Sequence, residues 1–280
     1  MNDSNDIKIV AVDIDGTFLT DMDKGRTYNK KLFDRVFNEL QRRHVHFVFA
    51  SGEPYDSLCS IIPDRIQQIS YVADNGGRIV DRGTDVFHGQ FAPATVRNVA
   101  HFLDQLPGVV YTLCGLESSF ILLNQPVSYR NRIQHYYPNL TPINSLRELH
   151  GPIFKFAMNC PQDKTREYCQ KILDQFSDVI YPTSSGFGSV DLIIPGLDKA
   201  SGLTKLMKRW DLNPSQLAAF GDGGNDVTML QLAKYSYAMA NAPKAVKQVA
   251  SQIAPSNNDQ GVLKVLAKHF NVKTEENDND

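Results

Sequence analysis

An apolar run, Ile9-Val10-Ala11-Val12, stops abruptly on Asp13-Ile14-Asp15-Gly16-Thr17. β-branched and small residues without polar alternation predict a strand buried on both faces, as a central parallel strand is. Such a strand carries two carboxylates to the carboxyl edge of a sheet, where open α/β folds bind ligands. The theme repeats. Val45–Ala50 predicts a second buried strand, ending on Ser51-Gly52, and Tyr71-Val72-Ala73 a third, ending on Asp74-Asn75-Gly76-Gly77. Between the first two, a helix over roughly 28–43 lines up Leu32, Phe33, Val36, Phe37 and Leu40 on one face. Pro54 suits the first turn of another. A β-α-β-α-β series implies parallel strands and right-handed crossovers.

The pattern then changes. Arg78–Val80 and Val86–His88 read as a hairpin, and the stretch from about 90 to 188 alternates helices and strands that do not end on carboxylates. This predicts an α/β protein with a parallel-sheet core, residues 1–87 and 189–280, and a second α+β domain, 88–188, inserted into it. Ser184–Ser189 reads as a flexible return into the core. The α/β pattern resumes with a strand at 190–194 and a helix near 200–210. The strand Leu217–Phe220 follows, ending on Gly221-Asp222-Gly223-Gly224-Asn225-Asp226. Asn75-Gly76 reads as a turn, Gly186-Phe187-Gly188 as a hinge or rim with Phe187 a substrate contact, and the acidic tail from Thr274 as disordered.

Composition excludes several classes. A 280-residue chain with 42% hydrophobic residues suits a globular protein of two domains. A net charge of -2 gives no basic footprint for nucleic acid or an anionic membrane. The four cysteines are scattered without C-x-x-C spacing, and none of the seven histidines has ligand spacing. Few isolated cysteines, an acidic rather than apolar N-terminus and no run near the roughly 20 apolar residues of a membrane span point to a cytoplasmic protein.

Three strand ends therefore carry chemistry: Asp13 and Asp15; Ser51; and Asp222, Asn225 and Asp226. Lys199 opens a helix and can join them. Clustered carboxylates repel unless a cation shares them, and hard oxygen ligands favour Mg²⁺. Ser51, Lys199, Asn225 and the backbone amides around Ile14–Thr17 are donors that suit a phosphate. Metal, carboxylates and phosphate donors together are the equipment of phosphoryl transfer. Two aspartates one residue apart fit a division of labour, one attacking phosphorus and one moving the proton.

Asp13-x-Asp15-Gly-Thr, Ser51, Lys199 and Gly221-Asp222-x-x-Asn225-Asp226 resemble, in order, the four motifs of the haloacid-dehalogenase (HAD) superfamily. The resemblance extends over the whole chain, and the long insertion resembles the C2B cap of the Cof-like subgroup. Cys114-Gly115-Leu116, Thr183–Gly188, Asp191–Leu197, Lys208–Leu212 and Tyr235–Met239 further resemble bacterial sugar phosphatases of that subgroup. The resemblance implies a Rossmann-like core, a Mg²⁺ cofactor and a small phosphorylated substrate, with neither nucleic acid nor membrane as partner. It makes Asp13 the nucleophile and a metal ligand, and Asp15 the acid/base, with its carbonyl on the metal. Asp222 becomes the third protein ligand. Ser51, Lys199 and Asn225 hold phosphate with backbone help at Ile14 and Gly52, and Asp226 orients Lys199 or a metal-bound water. Glu53 departs from the pattern, standing where many relatives carry arginine. Two other functions share these motifs: a phosphotransferase or phosphomutase on sugar phosphates, and a non-catalytic phosphoester-binding protein.

Overall fold

The computed structural model describes residues 6–134, 136–186 and 188–274. Phe187 and the tail beyond Thr274, for which the sequence predicts a substrate contact and disorder, lie outside the described residues. The strands are β1 (Ile9–Val12), β2 (His46–Ala50), β3 (Ser70–Ala73), β4 (Arg78–Asp81), β5 (Thr84–His88), β6 (Val110–Gly115), β7 (Ser119–Leu122), β8 (Leu140–Ile143), β9 (Ile153–Asn159), β10 (Tyr181–Gly186), β11 (Ser189–Ile193), β12 (Leu217–Gly221), β13 (Tyr235–Met239) and β14 (Gln252–Ala254). The α-helices are α1 (Lys30–Arg42), α2 (Tyr55–Ile61), α3 (Pro93–Leu103), α4 (Val127–Ile133), α5 (Thr165–Phe176), α6 (Lys199–Trp210), α7 (Val227–Leu232), α8 (Lys244–Lys247) and α9 (Gly261–Phe270).

The chain divides into two compact units. One comprises 1–50, 67–70 and 203–280; the other, 51–66 and 71–202. In the first, five parallel strands stand in the order β14-β13-β12-β1-β2. Every residue of β1 and β12 is buried, as uninterrupted apolar strands with neighbours on both sides require. α1 starts where Asn29 accepts a hydrogen bond from the Leu32 N–H, and it buries the five residues its periodicity predicts. Phe18, Phe33, Phe37, Phe47 and Phe49 form a chain of edge-on and tilted neighbours with ring centroids 5.1–6.4 Å apart. Each such ring contributes about 1.5–3 kcal/mol by leaving water.

The second unit holds β3, β4 and β5, the last two forming the predicted antiparallel hairpin, and a separate six-stranded sheet ordered β10-β11-β9-β6-β7-β8. One face of that sheet packs Tyr111, Leu113, Phe156, Met158, Val190 and Leu192 against α3 and α5. Two features differ from expectation. Ser184–Gly186 is strand rather than the start of a flexible return: it continues the strand expected near 179–182, which pairs antiparallel with β11, and that ladder outweighs the weak strand propensity of its serines and glycine. β11, which the sequence suggests opens a return to the parallel sheet, pairs antiparallel with β9. The short strands β8 and β14 carry too little alternation to be read from sequence.

Candidate active site

In the first unit the ladder between β1 and β12 continues one step past the strand, with the Asp13 N–H donating to the Phe220 carbonyl at 3.0 Å. Asp13 leaves the strand 7% exposed. The chain then coils tightly, the Ile14 carbonyl accepting from the N–H groups of Thr17, Phe18 and Leu19 at 2.9–3.3 Å. Gly16 adopts φ +74°, and a Cβ there would lie 2.3 Å from Asp222 Oδ2, so only glycine fits. The Thr17 hydroxyl donates to Asp222 Oδ1 at 2.7 Å. The fully buried Asp226 accepts from the backbone N–H groups of Asp222 and Gly223 at 2.9 and 2.8 Å, fixing the turn that presents Asp222.

Asp13, Asp222 and Asp226 each offer a carboxylate oxygen, and these lie within 4.8 Å of one another. Two unit charges 4 Å apart repel by about 4 kcal/mol at an effective dielectric constant of about 20. A cation shared among them would offset that repulsion, and an all-oxygen donor set of this kind fits a hard divalent ion. Asp15 stands apart from the trio. Its side chain is 55% exposed and ion-paired to Arg26 Nε at 2.8 Å. Asn225 is half-buried on the same turn as Asp222.

Sequence reasoning overlooked the groups that pin this loop. Asn241 Nδ2 donates to the Gly16 carbonyl at 2.7 Å, and Asn241 Oδ1 accepts from the Asn257 N–H at 3.2 Å. The fully buried Asn257 donates through Nδ2 to the Leu19 carbonyl and to Asp21. Two asparagines far from the loop in sequence, with no distinctive spacing, carry no signal that would have found them.

In the second unit Ser51 is buried. Its N–H donates to the Val72 carbonyl, its carbonyl accepts from the Asn75 N–H, both at 2.9 Å, and its hydroxyl accepts from the Glu53 N–H at 3.1 Å. The Glu53 carboxylate is turned to the Ser57 hydroxyl. Lys199 is fully buried at the start of α6, where the Asp198 side chain caps the helix by accepting from the Ser201 N–H at 2.7 Å.

Around Gly52 lies a network that the motifs do not include. The fully buried Lys155 ammonium donates to the Gly52 carbonyl at 2.5 Å, pairs with Asp74 Oδ1 at 2.9 Å and lies 3.7 Å from Asp191 Oδ2. Asn75 Nδ2 donates to the same Asp191 oxygen at 2.6 Å. Asp74 and Asn75 hold left-handed backbone angles, φ +52° and +51°, a conformation that their short polar side chains tolerate best among residues with a Cβ. A Cβ on Gly52 would sit 3.0 Å from Asp191 Oδ2 and 3.1 Å from Asn75 Nδ2. Burial alone would depress the Lys155 ammonium, but Asp191 and Asp74 beside it push it well above the usual lysine range. Burial pushes both carboxyls up against the pull of Lys155, and Lys199 also favours the charged form of Asp191.

The structure thus gathers Asp13, Asp222 and Asp226 at adjacent strand ends in one unit, with Asp15 and Asn225 on the same loops. In the other, it sets Gly52, next to Ser51, against Asp191, whose charge Lys199 favours.

A sequence profile of haloacid dehalogenase-like hydrolases matches residues 10–266. The 5-amino-6-(5-phospho-D-ribitylamino)uracil phosphatase YbjI of Escherichia coli (strain K12) is 37% identical over 262 residues, 94% of this chain and 96% of that protein. The crystal structure of SMU.1108c from Streptococcus mutans UA159 superposes with a TM-score of 0.89 at 34% identity, covering 95% of this chain and 99% of that one. The HAD subclass IIB sugar phosphatase BT4131 shares the fold, with a TM-score of 0.80 at 19% identity over 95% of this chain and all of its own.

Proposed function

The chain belongs to the haloacid dehalogenase-like hydrolases, as a phosphatase of that family, and on this premise we propose that it is a Mg²⁺-dependent phosphatase of small phosphomonoesters, chiefly sugar phosphates, working through an aspartyl-phosphate on Asp13. The observation that carries the reading is the carboxylate trio at the ends of β1 and β12, with the exposed Asp15 two residues beyond Asp13. A phosphatase named for a phosphorylated ribityl compound, with which this chain shares 37% identity, supports a polyhydroxylated leaving group.

In this reading the phosphate is held by the Ser51 hydroxyl, the backbone N–H groups of Ile14 and Gly52, the Lys199 ammonium and the Asn225 amide. The ion would be held by Asp13, Asp222 and the Asp15 carbonyl, and when bound it supplies charge neutralisation at the phosphoryl oxygens. Asp226, which holds the Asp222 and Gly223 amides, would orient Lys199 or a water on the ion.

The Asp13 carboxylate attacks phosphorus in line. As the ester P–O bond breaks, the leaving oxygen takes the proton carried by Asp15. Water then gives its proton to the Asp15 carboxylate as it attacks phosphorus, the Asp13–phosphorus bond breaks, and inorganic phosphate leaves. Residues 88–188 act as the cap that excludes bulk water and reads the leaving group, and the setting is the cytoplasm.

The test is phosphate release from a panel of sugar phosphates with Mg²⁺, and its loss on chelation and in Asp13→Asn. Activity that survives Asp13→Asn removes the nucleophile assignment.

A further inference from the structure

One face of the six-stranded sheet is covered by α3 and α5. Strand alternation sends Thr112, Ala157, Asp191 and Thr183 to the other face, and the register sets them in one row across β6, β9, β11 and β10. All four are short and three carry side-chain oxygen. Thr112 is buried, its hydroxyl 3.1 Å from that of Tyr129, and the other three are half-buried.

A solvated sheet face also reads polar, but Asp191 is not a loosely solvated side chain. Its Oδ2 is held by Asn75 at 2.6 Å and lies near the buried Lys155. Its Oδ1 has no hydrogen bond among the described residues, and the side chain remains 19% exposed. The carboxylate also lies against Gly52 and is felt by Lys199. It is therefore a fixed acceptor, one oxygen engaged and one on offer, beside the turn that grips phosphate in the function proposed above.

We infer that Asp191 is a specificity-determining residue: its Oδ1 accepts a hydrogen bond from a hydroxyl of the leaving group, selecting phosphorylated polyols and sugars over phosphoesters without hydroxyls. This rests on the placement of the phosphate at Ser51, Gly52 and Lys199. Asp191 takes no part in bond making. Lys155 and Asn75 are positioning residues that hold it in one orientation. The physical basis is asymmetric. A hydroxyl gives the carboxylate a charge-assisted hydrogen bond, whereas an alkyl chain covers an acceptor it cannot satisfy.

The experiment compares kcat/KM, with Mg²⁺, for ribitol 5-phosphate and n-pentyl phosphate, leaving groups of equal length that differ in their hydroxyls. The wild-type chain prefers the polyol by at least about 100-fold. Asp191→Asn lowers that preference at least about tenfold, mainly through KM, and Asp191→Glu restores part of it. A purely structural role would lower both rates together and leave the ratio unmoved, which overturns the inference. Should Asp191→Asn fail to fold, the wild-type ratio decides alone, and a value within about threefold of unity overturns the inference. p-Nitrophenyl phosphate separates the two levels: cleavage of it without polyol preference removes only the role of Asp191, whereas no cleavage of any phosphoester removes the phosphatase reading and the inference with it.

Discussion

The carboxylates at the ends of β1 and β12 and the ion network around Lys155 are built from the same side-chain chemistry and have opposite electrostatics. The first gathers Asp13, Asp222 and Asp226 within 4.8 Å, charges of one sign held by backbone amides and a threonine hydroxyl. The second sets a buried ammonium against two carboxylates, Asp74 and Asp191. The first is a donor set that a divalent ion could share. The second closes on itself and leaves one acceptor over. Clustered like charge offers a donor set to a ligand, and buried balanced charge holds the surrounding backbone in shape.

The difference predicts unequal costs for removing a charge. Asp13→Asn lowers phosphate release by at least about 10⁴-fold, yet in urea titrations of the metal-free protein it costs less than about 1 kcal/mol, because the charge it removes stands within 4.8 Å of two others of the same sign. Lys155→Met takes the ammonium from the buried Asp74 and leaves Asp191 with Asn75 and Lys199 alone. It destabilises by about 3–5 kcal/mol in the same titrations, the usual cost of breaking a buried pair. If both substitutions destabilise equally, the distinction fails.

The division also explains what could be read from the chain alone. The places of Asp13 and Asp222 at strand ends are legible because an apolar run ending on a carboxylate is a local contrast, visible whatever the strand pairs with. Lys155 was not. Ile153–Asn159 reads as an apolar strand interrupted by one lysine, and alternation by itself sends such a lysine to solvent. Only the pairing of β9 with β6 and β11, together with the Asp74 and Gly52 turns, encloses its ammonium. Asn75-Gly76 was legible as a turn from its left-handed preference, but not as the donor that fixes Asp191. The continuation of β10 through Ser184–Gly186 escapes a reading of the segment alone, because its serines and glycine favour a turn whereas its state is set by β11. Local chemistry is written in the sequence near the residue that performs it, and long-range support is distributed among partners far apart in the chain.

Ion addition sharpens the contrast. A divalent cation at about 100 times its Kd adds about 2.7 kcal/mol to a protein that binds it only when folded. Mg²⁺ therefore raises the Tm of the wild-type chain, and Asp222→Asn removes most of the rise. Lys155→Met remains as damaging with Mg²⁺ as without it, since the ion completes only the first region. A scan showing equal rescue of Lys155→Met would join the two regions energetically and undo the comparison.

The smallest effect tests whether burial, rather than charge balance, makes the Lys155 network costly to break. Glu39 on α1 is also balanced. It accepts from Arg42 Nε and Nη2, both at 2.7 Å, and from Arg43 Nε at 2.6 Å, but the Arg42 side chain is 69% exposed. The Arg42 hydrogen bonds, and after them those of Arg43, pull the Glu39 carboxyl down to about 2 from its ordinary 4.5. A folded-state pKa below the unfolded one gives stability that is fully present above about pH 4.5 and is lost as pH falls towards 2. Glu39→Gln therefore costs less than about 1 kcal/mol at neutral pH, because solvent screens the pair. The gap to wild type narrows as urea titrations move from pH 5 to pH 3 and shrinks again in high salt. A Glu39 penalty as large as that of Lys155→Met would show that balance alone sets the cost, and the reading of the Lys155 network as a rigid, desolvated support for Asp191 would lose its physical ground.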